Sequence, residues 1–370
     1  MDDWTDMDDW TVESQTRAVF SWRYDDHRAK LIDLYQRGKN RQWDAASRID
    51  WAAPADPADG FGMGDARIPI VGTPLWQAMS DDSRQQVRHH YTAWQFSQFL
   101  HGEQGATICA ARVVEATPTL DAKFYAATQV VDEARHVEVF SRLLREKIGM
   151  WYPPEAGLQS LLKETLRESR WDFVYLGMQV LIEGLALGAF GLLRDTVHNR
   201  LIKEVLSYVM QDEARHVAFG RLALADHYRR VGRAELRERE DFVIDGCRAL
   251  RTRFEAGQVW ESLGLDVEEC VRAARESSVL RMFDVWVFSR ILPCLRDVGL
   301  WTERVQRMFK DSGLVRLARK DLDDMLCRDE AVALRAELEA RRLQIADTAG
   351  IGDLRSIPPL RPSTYQEVRS

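Results

Sequence analysis

Cysteine is scarce and unorganised in this chain of 370 residues. Its five cysteines (Cys109, Cys247, Cys270, Cys294, Cys327) are odd in number and widely spaced. Without a Cys-x-x-Cys pair they form neither a disulfide framework nor a zinc ribbon, and they fit a reduced cytoplasmic setting. Basic residues are also in deficit. Fifty-one Lys and Arg against 58 Asp and Glu leave a net charge of -7, which argues against nucleic acid as the main partner because phosphate binding needs a basic surface. A Gly-x-Gly-x-x-Gly dinucleotide loop is missing, so any flavin or nicotinamide chemistry must come from a separate protein. The opening Met1-Asp2-Asp3-Trp4 is acidic and lacks the basic and apolar stretches of a secretion signal, so a cytoplasmic location is expected. Alternating strand patterns bounded by turn pairs are hard to find, whereas 3.6-residue periodicity recurs, which predicts an all-α fold.

Long hydrophobic runs are rare too, with one exception. Phe173 to Leu193 is apolar apart from Gln179 and Glu183, and its length alone would cross a bilayer. A glutamate at its centre and a mean hydropathy of -0.35 for the chain predict instead a helix buried on all sides within a bundle, with no membrane span. Gly177, Gly184, Gly188 and Gly191 punctuate the same run. Glycine in a helix interior costs about 1 kcal/mol relative to alanine, so these positions predict either close helix contacts or room for a ligand.

What the chain has is a repeat. Asp132-Glu133-Ala134-Arg135-His136-Val137 recurs letter for letter as Asp212-Glu213-Ala214-Arg215-His216-Val217, and each copy lies thirty residues after another glutamate, Glu103 or Glu183. Positions i and i+3 share a helix face, so Glu133 with His136, and Glu213 with His216, each present two ligands to one point. Glu103 and Glu183 arrive singly from two further helices. Four carboxylates and two imidazoles can hold two metal ions in a four-helix bundle. The set is hard enough for iron or manganese and offers no thiolate to favour zinc. Four carboxylates also balance two divalent cations, which makes their burial tolerable. Asp132 and Asp212 each precede a motif histidine by four residues. They are expected to accept the second imidazole N–H of the histidine on their own helix, with Arg135 and Arg215 neutralising them.

The expected organisation has four parts. Residues 1–79 form a lead, an amphipathic helix at about 25–39 and an irregular wrap containing Pro54, Pro57, Pro69 and Pro74. Residues 80–232 form the di-metal core. Its helices run from a Ser80-Asp81-Asp82 cap to before Pro118, from Thr119 to near Gly149, over about 158–195, and over about 199–230. Residues 233–345 add helices, one expected to kink at Pro293, and 346–370 form an extended tail. His89, His90 and His101 lie on the first core helix without partners at metal spacing, and read as structural residues.

The order Glu, Asp-Glu-x-Arg-His, Glu, Asp-Glu-x-Arg-His over about 80–230 resembles the ferritin-like di-iron carboxylate superfamily. That group includes monooxygenase hydroxylases, acyl-carrier-protein desaturases, ribonucleotide reductase small subunits, arylamine N-oxygenases and ferritins. The resemblance implies metal ligands at Glu103, Glu133, His136, Glu183, Glu213 and His216. Some subfamily features are replaced. Phe140 stands where the reductases carry their radical tyrosine, and Leu187 where many hydroxylases carry a threonine, although Thr107 lies one turn after Glu103. Val209 occupies the place of the extra histidine ligand of the N-oxygenases. The chain is therefore not a standard member of those three groups.

The resemblance implies an enzyme in which two iron ions, with manganese an option at one of them, use O2 as cosubstrate to hydroxylate, N-oxygenate or desaturate a small organic substrate. Electrons would come from an external ferredoxin or flavin reductase, and a homodimer is one option for assembly. The rival readings are an acyl-chain desaturase and a non-catalytic iron-binding or ferroxidase protein. One turn from Glu103 and Glu183 lie Phe99, Ala106, Thr107, Gln179, Val180, Ala186 and Leu187. This mostly apolar wall is the expected substrate pocket and suits a largely apolar or aromatic molecule.

Overall fold

The computed structural model describes residues 10–13, 17–24, 28–57, 60–252 and 255–349. Among these residues every regular element is a helix. Four long helices carry the duplicated motif. The Glu103 helix, Asp81–Ala116, starts where Ser80 accepts a hydrogen bond from the Ser83 amide at 3.1 Å. The Glu133 helix, Leu120–Leu143, begins after Thr119, whose side chain makes no capping bond, and ends through a π-turn at Leu144–Ile148 and the left-handed Gly149. Along it the buried positions Ala122, Tyr125, Ala126, Gln129, Glu133, His136, Val139, Phe140 and Leu143 recur every three or four residues, as one inward face requires.

The third core helix departs from expectation. Ala156–Arg167 is a separate helix, and Glu168 is already extended. The Glu183 helix proper then runs over Trp171–Thr196. Its residues Leu176–Ile182 form a π-helical stretch that ends against Glu183, and such bulges shift the phase of the side chains that follow. Its most apolar eighteen-residue window is 94% buried inside the bundle. The Glu213 helix, Arg200–Tyr228, is capped by Asn199, whose side chain accepts from the Ile202 amide at 3.1 Å.

The glycines of the Glu183 helix mark close helix contacts. A Cβ on Gly188 would come within 2.6 Å of the Val287 backbone, and one on Gly184 within 2.8 Å of the Ile291 side chain. Val287 and Ile291 belong to Ser278–Asp297, a helix that continues through Pro293 without interruption. Leu322–Ala349 covers the Glu213 helix, and Ala29–Asn40 covers the Glu133 helix. Leu322–Ala349 remains helical past the expected start of the tail at 346, and the rest of that tail lies outside the described residues. His89, His90 and His101 bond to Ile148 O, Tyr152 Oη and Tyr152 O at 2.8, 2.6 and 2.8 Å, tying the Glu103 helix to the segment on either side of Gly149.

Candidate metal centre

The six motif residues converge in two overlapping groups. Glu103, Glu133, His136 and Glu213 bring ligand atoms within 4.8 Å of one another, and so do Glu133, Glu183, Glu213 and His216. Glu133 and Glu213 belong to both groups, which is the arrangement two bridging carboxylates would give. Glu103 with His136, and Glu183 with His216, complete one group each. All six are buried, and no further His, Cys, Asp or Glu joins them among the described residues.

Each imidazole Nδ1 faces three carboxylates, and His136 bonds to Glu103 and His216 to Glu213. His136 Nδ1 lies 3.3 Å from Glu103 Oε2, 3.3 Å from Glu133 Oε2 and 2.9 Å from Glu213 Oε1. His216 Nδ1 lies 3.0 Å from Glu213 Oε2, 3.2 Å from Glu133 Oε1 and 3.8 Å from Glu183 Oε1. Yet Glu133 Oε2 and Glu213 Oε1 accept no aligned hydrogen bond, although both are fully buried. A buried carboxylate oxygen without a donor is costly, and a cation beside each Nδ1 would satisfy both. The residues therefore fit a pair of metal ions.

The electrostatics agree. Burial, and then the Glu213 carboxylate, push Glu103 up to about 8. Burial and the Glu133 carboxylate push Glu183 well above its ordinary value. Burial opposes charge on His216, but Glu133 and Glu213 outweigh it and raise the imidazole to about 10. His136 is likewise raised well above its usual value against burial, chiefly by its hydrogen bond to Asp212. Glu213 is held below the usual carboxylate range despite burial, by His216 first. Without metal, protons on the imidazoles carry the positive charge that metal ions would supply.

The aspartates pair differently from expectation. His136 Nε2 faces Asp212 at 3.2 Å and His216 Nε2 faces Asp132 at 3.4 Å, so each histidine meets the aspartate of the other repeat. Each imidazole turns its Nδ1 to the ligand cluster, which swings Nε2 across to the opposite helix rather than back along its own. Arg135 binds Asp132 at 2.5 Å and Asp212 at 2.9 Å; Arg215 binds Asp212 and lies 3.8 Å from Asp132. The buried Arg–Asp lattice thus locks the two motif helices together and fixes both tautomers.

Three participants escaped sequence reasoning. Trp43 Nε1 donates to Asp212 Oδ2 at 2.8 Å, and Gln42 Nε2 donates to Asp132 Oδ1 at 2.8 Å. Both come from just beyond the Ala29–Asn40 helix, about ninety and more residues away in sequence, with no spacing signal to connect them. Gln129 Nε2 donates to Glu133 Oε1 at 2.7 Å. It lies four residues before Glu133 on the same face, and a lone amide on an inward stripe was the available clue.

An apolar cavity reaches the cluster. Phe99, Ala106 and Ala186 line it with Glu103 and Glu183, alongside Met178 and Phe190. Four residues expected in this wall lie elsewhere. Thr107 bonds back to the Glu103 carbonyl at 3.0 Å, and Gln179 exchanges hydrogen bonds with Gln129. Val180 and Leu187 are fully buried outside the lining. The π-helical stretch before Glu183 rotates Gln179 and Val180 out of the phase that regular α-helical spacing assigns them.

Fold and site together define a ferritin-like helical protein with a dinuclear carboxylate–histidine centre. The family model described as P-aminobenzoate N-oxygenase AurF matches residues 25–299, and the chain belongs to that family of oxygenases. It is an oxidoreductase that takes O2 as cosubstrate. Val209, at the place of the N-oxygenases' extra histidine, is fully buried and apolar, so no seventh donor stands at that position beside the six residues that converge. Among solved structures the chain is similar to a variant of an R2-like ligand-binding oxidase with anaerobically reconstituted Mn/Fe cofactor. That match has 16% identity and a TM-score of 0.47, covering 74% of this chain and 94% of that one. Another R2-like ligand-binding oxidase, with aerobically reconstituted metal cofactor after photoconversion, matches at 17% identity and a TM-score of 0.41, covering 71% and 93%. No curated protein sequence matches.

Proposed function

We propose that this protein is a di-iron oxygenase that oxidises a small, largely apolar or aromatic substrate, and that N-oxygenation of an arylamine is its reaction. The observation that carries this reading is the cavity itself, an apolar slot whose wall includes the metal-ligand candidates Glu103 and Glu183. A ferroxidase or iron store would need a polar ion path there rather than Phe99, Met178 and Phe190. The bound metals would be held by Glu103 and His136, by Glu183 and His216, and by Glu133 and Glu213 jointly, and would supply the reduction of O2. The chain's own residues do the rest. Phe99, Phe190, Met178 and Leu158 exclude water from the slot. Asp132 and Asp212 hold each imidazole with Nδ1 toward the cluster, and Gln129 steadies the Glu133 carboxylate.

For an amine the balance is one O2, two electrons and two protons in, and a hydroxylamine plus water out. The electrons come from a separate ferredoxin or flavin reductase. The test is O2 uptake by iron-loaded, reduced protein, with p-aminobenzoate and longer arylamines added singly and products identified by mass spectrometry. Amine-dependent uptake with an oxygenated product is the expected result. Uptake that tracks ferrous ion alone and ignores every organic addition would indicate a ferroxidase instead.

A further inference from the structure

The slot beside the metal ligands is narrow, ≈ 40 Å³, and Gln95 forms part of its wall. Gln95 also lines a second, larger cavity of ≈ 210 Å³, bounded by Arg67, Tyr91, Leu193 and Phe283. Arg67 stands out there. It is buried, 8% exposed, and ends the short 3-10 turn Asp65–Arg67. Its Nη1 donates to Gln95 Oε1 at 3.0 Å and its Nη2 to Thr92 Oγ1, while its Nε has no partner. The neighbouring acid, Asp65, is claimed by Arg88, whose Nε and Nη2 hold its two oxygens at 2.6 and 2.9 Å. So the Arg67 guanidinium is buried at a cavity with only neutral hydrogen-bond partners. Burial lowers its pKa to about 10. A buried cation normally has a counter-charge. Among the described residues the acid whose charge reaches Arg67 is Asp65, and its two oxygens are already held by Arg88, so the two arginines share one carboxylate and keep a positive charge in excess.

The register along the Glu103 helix sets a length. Arg67 bonds to Thr92 and Gln95, which precede Glu103 by eleven and eight residues. At 1.5 Å per residue the guanidinium lies about 12–16 Å along the helix axis from the level of Glu103. A single ring with a carboxylate and an amine at opposite ends spans only about 7 Å by ordinary bond lengths.

We infer that the substrate is an elongated anion, whose carboxylate pairs with Arg67 in the outer cavity while its slim apolar end passes Gln95 to the slot between Glu103 and Glu183. This rests on the oxygenase reading and refines it. The outer cavity takes the bulk of the molecule, and the inner one admits only the end to be oxidised. Gln95, held by Arg67, stands at the junction and would give up that bond to the incoming carboxylate.

The test measures binding without O2, so it is independent of turnover. Iron-loaded full-length protein is titrated anaerobically, by calorimetry, with p-aminobenzoate, with 4-aminophenyl alkanoic acids of increasing chain length, and with the corresponding amides. Acids should bind more tightly than their amides, and longer acids more tightly than p-aminobenzoate. Arg67→Met should weaken acid binding about 10- to 100-fold, the worth of a hydrogen-bonded charge pair, while leaving the amides unchanged. Arg67→Lys should restore part of the loss. If Arg67 only pins Thr92 and Gln95, Arg67→Met will weaken acids and amides alike, and the inference is overturned. It is equally overturned if wild-type protein binds p-aminobenzoate as tightly as the longest acid, or fails to distinguish acid from amide; both comparisons stand even if the variant does not fold. Tight acid binding with no O2-dependent product would instead sink the oxygenase reading and leave this site intact.

Discussion

Asp212 offers the sharpest perturbation of the centre. It is fully buried and accepts from Trp43 Nε1 at 2.8 Å and Arg135 Nη2 at 2.9 Å; it also binds Arg215 and faces His136 Nε2 at 3.2 Å. Asp212→Asn keeps the shape but removes the charge that Arg135 and Arg215 share, and leaves His136 facing a neutral amide. Breaking a buried ion pair costs about 3–5 kcal/mol when nothing replaces the lost charge. Asp132 still faces both arginines, so the cost should fall toward the lower end of that range and the protein should fold. Loss of the carboxylate behind a ligand histidine weakens metal binding by about 10- to 100-fold.

The crossed pairing says which ion suffers. Asp212→Asn should empty the position held by Glu103 and His136, although Asp212 sits on the same helix as His216. Asp132→Asn should empty the one held by Glu183 and His216. The assay is iron per chain after limiting anaerobic loading and desalting, repeated with Glu103→Ala or Glu183→Ala added to each variant. In Asp212→Asn the remaining iron should depend on Glu183 and ignore Glu103. Dependence on Glu103 instead would mean that each aspartate serves the histidine of its own helix, and the crossed network would be refuted.

Further expectations follow from other parts of the molecule. Ala106→Phe and Ala186→Phe should block turnover by filling the slot while iron loading stays normal; full activity in both would place the substrate elsewhere. Exposure of the reduced protein to O2 should leave no long-lived tyrosyl radical by electron paramagnetic resonance. Phe140 holds the usual position, and the buried Tyr125, with its ring 6.5 Å from that of His216, has no hydrogen-bond partner to take its proton. The pKa values of His136, His216, Glu103 and Glu183 are all raised on folding. Their stabilising contribution is complete below the unfolded values and is lost as pH rises toward about 8 for Glu103 and about 10 for His216. Metal-free protein should therefore melt lower at about pH 9 than at about pH 6, and the gain in Tm from iron should grow over the same range. A gain that shrinks with rising pH would reverse that assignment. Gly188→Ala should destabilise by about 1–3 kcal/mol in a denaturant titration, because its Cβ would meet the Val287 backbone at 2.6 Å.

The six converging residues were readable because their pattern is written twice. Duplication at a fixed offset singles out Glu103, Glu133, His136, Glu183, Glu213 and His216 without any tertiary information, and helical spacing places each motif pair on one face. What could not be read was whatever depends on how helices face one another. Sequence spacing shows only an aspartate's neighbours on its own helix, so Asp132 and Asp212 were paired with the nearer histidine. Trp43 and Gln42 approach from a distant segment whose docking no local pattern encodes. The break at Glu168–Arg170 contains neither glycine nor proline to announce it. The π-helical Leu176–Ile182 stretch then displaced Gln179 and Val180 from the wall that regular spacing assigns them. The glycines of the Glu183 helix were ambiguous alone, and became contact points once Val287 and Ile291 were in place.

The central claim is a dinuclear iron centre on six residues from four helices. Elemental analysis of protein loaded anaerobically with ferrous ion, then desalted, tests it most directly. Two irons per chain are expected in the wild type, with severe loss in Glu133→Ala and Glu213→Ala, each of which removes a carboxylate common to both groups. A single zinc and no iron, or two irons retained in both variants, would contradict it.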